Sequence, residues 1–256
     1  MSNISLKYRP AGSSIRPYQY DGYYKYDRSV ARDYEKDREV ESHWQREEEF
    51  IKAYLAGRDV ENLLDIPVGT GRFFQHYTRV KNLIGVDISE EMLSEALKKV
   101  PLLPKTTAIS LERGDVFQLR FDDAQFDLTI VWRLLHLLPQ NLLEKAISEL
   151  CRVTKGELVV QSYVPISWAT RIRDRFRETG SRVHHRLLQD PAPDQVVDPN
   201  PTIKRWCHIK AYRHQEKLLD LLFRKCGFSL RETRVLDRYF DCWVKVTIYA
   251  RHVTKS

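Results

Sequence analysis

A short run, "LLDIPVGTGRFF" (residues 63–74), constrains the fold more than any other stretch. An apolar segment ends on Asp65, passes through Pro67, Gly69 and Gly71, and resumes with aromatic residues. Glycine lets a backbone turn tightly and come close to a ligand. In an open α/β sheet, ligands sit beyond the carboxyl ends of strands where the topology switches direction. A helix starting after the glycines would add free N–H groups and partial positive charge. A second apolar run, "NLIGVDI", ends on Asp87, twenty-two residues after Asp65. An acid there is placed to accept hydrogen bonds from ribose hydroxyls. Together the two motifs point to a nucleoside-containing cofactor.

The rest of the chain supplies the sheet. "NLLDI", "NLIGVDI", "AISLERGD", "FDLTIV" and "GELVVQSYV" read as strands. They alternate with helical patterns in "SEEMLSEALKKV" and "NLLEKAISELCRV". In the first of these helices Ser89 is the N-cap, and Met92, Leu93, Ala96, Leu97 and Val100 share one face. A third helix, "HQEKLLDLLFRKCG", precedes "FSLRETRVL" and "CWVKVTIYAR". With no helix between them, these last two strands must pair antiparallel. The expectation is an α/β fold: a doubly wound, seven-stranded, mostly parallel sheet with a C-terminal antiparallel strand pair. Upstream, Val40, Trp44, Ile51, Tyr54 and Leu55 recur near helical spacing with Glu and Arg between them, so an amphipathic helix from about Val40 is expected to stop at Gly57.

Residues 1–59 thus read as an arm plus a covering helix, the arm (residues 1–25) being rich in Tyr, Ser, Pro and Gly. Residues 60–256 read as the main domain, in which the pattern breaks between 166 and 213. Charge is uneven in the same way. The net +7 is made of zero over residues 1–60, −2 over 61–165, +5 over 166–213 and +4 over 214–256. A positive C-terminal half favours an anionic partner, or is a plain soluble surface. No apolar run approaches the roughly 18–20 residues of a membrane helix. The N-terminus lacks an apolar signal core, so a cytoplasmic protein with no membrane partner is expected. Cys151, Cys207, Cys226 and Cys242 form no C-x-x-C pair, which argues for reduced thiols and against a metal site.

A dinucleotide site wants a third glycine where this chain has Phe74. A carboxylate at Asp65 would also repel a pyrophosphate but attract an ammonium or sulfonium. An adenosine carrying an amino-acid tail fits better. Here a family resemblance enters. "LLDIPVGTGRF", "LIGVDISEEML", "LERGDVFQLRFDDAQFDLTIVWRLLHLLP" and "RVTKGELVVQSYV" resemble, in order and spacing, the successive motifs of class I (Rossmann-like) S-adenosylmethionine-dependent methyltransferases. The resemblance implies S-adenosyl-L-methionine as cofactor. Asp65, Gly69 and Gly71 would line its methionine end, and Asp87 its ribose. Asp115 and Val116 would meet the adenine amine, and Ile88 and Met92 the adenine faces. Trp132 and Arg133 would face the methyl group and substrate. Tyr34 and Trp44 would belong to a lid. The family's first loop glycine is replaced by Pro67, which stiffens the turn and removes a donor. Arg72 would bind the cofactor carboxylate or point to solvent.

His136 is a candidate to orient the substrate or accept a proton, and equally a core histidine. Tyr163 could border the pocket or pack. The basic run containing Arg171 and Arg175, with Trp206 and Tyr212 beyond it, falls where this family inserts substrate-recognition segments. Methyl transfer is an in-line displacement in which the protein positions the nucleophile and excludes water, so the absence of a prominent acid–base pair is no obstacle. No Asn/Asp-Pro-Pro-aromatic motif follows "FDLTIV" and no Pro-Cys pair is present, which ranks nucleic acid below other acceptors. A small-molecule N or O nucleophile is the first expectation. A lysine of an acidic protein such as a translation factor is the alternative. An RNA substrate and a catalytically silent binding module follow. A monomer is expected.

Overall fold

Strand β1 (Val60–Asp65) lies inside the sheet, third from one edge. The chain adds β2 (Val80–Asp87) and then β3 (Ala108–Arg113) outward on one side. It then crosses to lay β4 (Phe126–Val131) and β5 (Thr154–Pro165) on the other. After β5, β6 (Phe228–Tyr239) and β7 (Cys242–Arg251) complete that edge. The order is β3-β2-β1-β4-β5-β7-β6, with β7 antiparallel to both its neighbours and the other pairs parallel. This is the expected α/β sheet, and its direction switches between β1 and β4. The computed structural model describes residues 28–166 and 212–252.

Side-chain alternation along the strands makes two cores. Leu64, Val131, Leu158 and Val160 face helices α4 (Gln140–Val153) and α5 (Glu216–Lys225), which contribute Leu143, Ile147, Leu150, Leu222 and Phe223. Leu63, Leu83, Ile130 and Val159 face the opposite layer. That layer holds α2 (Trp44–Leu55) and α3 (Glu90–Lys99), with Phe50, Ile51, Leu93 and Ala96 buried. Each such large apolar side chain contributes about 1.5–3 kcal/mol when fully buried. Ser89 caps α3 as expected, its hydroxyl accepting from the Met92 N–H.

Three expectations are corrected. The helix expected from about Val40 begins only at Trp44, as α2, and a separate helix, α1 (Arg28–Arg38), precedes it across a turn that leaves Val40 85% exposed. The turn brings Glu41 and His43 under the helices, and the apolar stripe that packs begins at Trp44. Leu97, placed on the buried face of α3, is exposed, because Met92, Leu93 and Ala96 already cover the sheet. No α-helix follows the glycine loop. Residues 66–79 hold only a 3-10 turn at Phe74–His76. Phe73, Phe74 and Tyr77 are all buried in the core, which leaves no periodic polar face for a helix. The N-terminal helix dipole expected beside the loop is therefore absent.

Candidate functional site

The carboxyl ends of β1, β2 and β4 converge on one cleft, at the switch in strand order. It holds about 700 Å³ of empty space, part of it open to solvent. The loop after β1 stays tied to its neighbours: the Ile66 N–H donates to the Ile130 carbonyl at 3.0 Å, and the Val68 N–H to the Val86 carbonyl at 2.9 Å. Gly69 (φ +54°) and Gly71 (φ +69°) make the reversal. At Gly71 a Cβ would stand 2.7 Å from the Phe74 ring, so the loop closes onto its own aromatic floor.

Two buried carboxylates line the cleft. Asp65 accepts a hydrogen bond from the Tyr77 hydroxyl at 2.7 Å. Burial pushes its carboxyl up to about 7, opposed by that hydrogen bond and reinforced by the charge of Asp87. Asp87 accepts from the Gly69 and Ser89 N–H groups, each at 2.9 Å. Burial pushes it up to about 6, while the N–H donors of Ser89, Gly69 and Ile88 pull it down. Both acids are desolvated and have no cationic side chain bonded to them among the described residues.

Part of the lining is apolar: Phe73, Trp132, Leu134 and Leu137 contribute it. Phe73 meets the Trp132 ring edge-on at 5.4 Å. The Trp132 Nε1–H is buried and lacks a protein acceptor among the described residues.

Above the cleft lie α1 and α2. Tyr34 and Trp44 both line it and touch edge to face at 6.3 Å. Glu35 bonds the Thr70 hydroxyl in the loop and Lys99 at the end of α3, tying α1 across the opening. Glu47 of α2 is fully buried. Its carboxylate accepts from Arg72 at 2.8 Å and from Arg133 at 3.1 Å. Arg133 also meets Glu41 at 2.8 Å, and it holds a positive φ of +56° just after β4.

Of the residues singled out from sequence, Asp65, Pro67, Gly69, Arg72, Asp87 and Ile88 line the cleft, as do Met92, Trp132, Arg133, Tyr34 and Trp44. Gly71 shapes the loop without lining it. Asp115 and Val116 do not line it either. Asp115 follows Gly114, whose N–H is held by the Asp87 carbonyl at 3.0 Å, and its own Oδ1 accepts from the Phe117 N–H at 3.1 Å. Arg72 does not point to solvent, since it is engaged by Glu47 and stacks on Trp44 with its guanidinium 3.3 Å from the ring centre.

His136, Tyr163 and Tyr212 form a separate group beside the cleft. The rings of His136 and Tyr163 lie 5.1 Å apart, and the Tyr212 N–H donates to the His136 carbonyl at 2.7 Å. Buried His43, the residue before α2, sits with its Nε2 3.3 Å from the Tyr163 hydroxyl. Burial lowers the pKa of His43 against the pull of Glu47 and Glu41. Arg171, Arg175 and Trp206 lie outside the described residues. Sequence reasoning missed Val68, Thr70, Phe73, Leu134 and Leu137, and also Glu41, His43 and Glu47. An acid between arginines in an amphipathic pattern looks like solvent face, and only the burial of Glu47 distinguishes it.

Residues 63–157 match a family model described as a methyltransferase domain. A phosphatidylethanolamine N-methyltransferase of Cereibacter sphaeroides is 28% identical over 150 residues, which are 54% of this chain and 72% of that protein. A demethylmenaquinone methyltransferase of Desulfitobacterium hafniense is 40% identical over 156 residues, 59% of this chain and 57% of the relative. The crystal structure of magnesium protoporphyrin IX methyltransferase from Synechocystis with bound S-adenosylmethionine superposes with a TM-score of 0.57 at 18% identity, covering 89% of this chain and 98% of that one. At that identity the likeness concerns the fold. These matches show a methyltransferase domain at residues 63–157, and the sheet order and switch-point cleft are those of the Rossmann-like fold of S-adenosylmethionine-dependent methyltransferases.

Proposed function

We propose that this enzyme moves the methyl group of S-adenosylmethionine to an N or O nucleophile of a small molecule held against the apolar lining of the cleft. The observation that carries the proposal is the mixed lining of that cleft, in which two buried carboxylates, Asp65 and Asp87, share the walls with Phe73, Trp132, Leu134 and Leu137. The residues present suit the cofactor. Asp65 and Asp87 are desolvated acids that an ammonium and ribose hydroxyls would satisfy, and Trp132 keeps a buried donor without a partner. In this reading Asp65 holds the amino group, Asp87 the ribose, and Ile88 with Met92 the adenine faces. Gly69 and Gly71 bring the loop backbone close, and Pro67 borders it. Asp115 and Val116 reach the adenine amine from the turn that follows β3.

The cofactor supplies a methyl group already activated by its sulfonium. The chain's task is then to align the acceptor and keep water out. Trp132, Leu134 and Leu137 provide the dry wall, and Tyr34 and Trp44 cover it from above. In this reading His136 and Tyr163 orient the acceptor or take its proton, with Tyr212 beside them. Names of the relatives support a small acceptor: one methylates phosphatidylethanolamine and another demethylmenaquinone.

Purified protein incubated with methyl-labelled S-adenosylmethionine and an extract of cells lacking it provides the test. Label in the small-molecule fraction is expected. Label confined to a protein band would replace this acceptor with a side chain, the lysine alternative.

A further inference from the structure

Two arginines line the cleft, and one acid holds both. The Glu47 carboxylate oxygen Oε2 accepts from Arg72 Nη1 at 2.8 Å, from Arg133 Nη2 at 3.1 Å and from Arg133 Nε at 3.2 Å. Glu47 is fully buried and belongs to α2, whereas Arg72 belongs to the glycine loop and Arg133 follows β4. Arg72 bonds the Trp44 carbonyl through Nη2, and its Nε is buried with no acceptor among the described residues. Arg133 has a second acid, Glu41, at 2.8 Å. Among the described residues the only acid Arg72 has beyond Glu47 is Glu48, at 3.9 Å. Removing Glu47 from Arg72 therefore leaves that guanidinium short of a partner, while Arg133 keeps Glu41.

The cofactor proposed for this cleft carries a carboxylate on the same amino-acid tail whose ammonium is assigned to Asp65. A guanidinium binds carboxylates through a planar fork of donors. Among the described cleft-lining residues the only cations are Arg72 and Arg133. Of the two, only Arg72 has a buried donor left over.

We infer that Glu47 stands in for the cofactor's carboxylate on Arg72, and that cofactor binding displaces it, leaving Glu47 to Arg133. The inference rests on the proposed cofactor site and adds a positioning residue to it. Glu47 touches neither the cofactor nor the reacting atoms. It acts through the two arginines and joins the cofactor's place in the cleft to the acceptor's. Binding of the amino-acid tail is then sensed at Arg133, next to the apolar wall, before the acceptor arrives.

Calorimetry with two probes tests this. S-Adenosylhomocysteine carries the amino-acid tail, and 5′-methylthioadenosine lacks it. The unsubstituted protein is expected to bind both, and failure to bind either would refute the cofactor site itself rather than the role of Glu47. Arg72→Gln should weaken S-adenosylhomocysteine by about tenfold or more, the worth of a charged hydrogen bond, and change methylthioadenosine affinity little. Glu47→Gln should tighten S-adenosylhomocysteine several-fold and leave methylthioadenosine unmoved. Equal weakening of both probes by Glu47→Gln would make the acid a plain structural brace and overturn the inference. Should that variant fail to fold, the unsubstituted protein still decides. The Arg72 Nε–H resonance, assigned with Arg72→Gln, must shift with S-adenosylhomocysteine and stay in place with methylthioadenosine. A resonance that responds alike to both overturns the proposal.

Discussion

The floor and the roof of the cleft hold charge in opposite ways. On the floor, Asp65 and Asp87 end adjacent strands and are buried without cationic partners among the described residues, so burial raises both. In the roof, Glu47 is also buried and Glu41 is partly buried, but each is paired to an arginine. A buried unpaired acid costs free energy until something supplies the missing charge. A buried paired acid costs free energy only when a partner is taken away. The floor is thus arranged to be completed by a ligand, whereas in the roof each acid already has an arginine beside it.

Substitutions can break this contrast. Glu47→Ala leaves two guanidinium groups short of a carboxylate, and a loss of about 3–5 kcal/mol in unfolding free energy is expected. Denaturant titration measures it, and a loss below about 1 kcal/mol would mean that water already reaches the pair. Asp87→Ala should instead spare stability and remove roughly a hundredfold of cofactor affinity, in line with one or two hydrogen bonds to a charged acceptor. Unchanged affinity in calorimetry would take the ribose away from Asp87.

A finer test uses pH. A cationic ligand favours the ionised forms of Asp65 and Asp87, so S-adenosylmethionine affinity should fall as pH drops through about 7 and then about 6. The slope should approach tenfold per pH unit for each proton taken up, and Asp65→Asn should flatten its upper part. In the ligand-free protein the sign is reversed. Both carboxyls lie above their ordinary value of 3.8 when folded, so the stability they confer is full below that value and is lost as pH rises through about 6 to 7. Melting curves should therefore show Asp65→Asn gaining on the unsubstituted protein between about pH 4 and pH 7. Two parallel curves would show that Asp65 ionises freely. The smallest effect belongs to Val40, which sits in the turn between α1 and α2 at 85% exposure. Val40→Ser should change stability by less than about 0.5 kcal/mol.

The floor was legible because its chemistry is local. Asp65, Gly69, Gly71 and Asp87 lie in two short runs, and strand alternation brings their carboxyl ends together once β1 and β2 pair in parallel. Ser89 was legible for the same reason, a cap being a matter of three residues. The roof was not. Glu47 meets Arg133 across 86 positions of chain, and His43 meets Tyr163 across 120. Nothing in the local pattern of either partner signals the other. The missing helix after the glycine loop lies between these cases. Phe73, Phe74 and Tyr77 were visible as aromatics, but the decision to bury all three beneath the turn belongs to the core they enter.

By itself, then, the order of residues determined the alternation of strands and helices, the parallel sheet with its antiparallel end, and the two acids at the switch point. Each follows from periodicity, loop length or a run of a few residues. Tertiary structure alone decided which charged side chains leave the solvent. Burial is set by what packs from far along the chain, and a buried acid is stable where the fold brings an arginine to it and a candidate ligand site where the fold brings none.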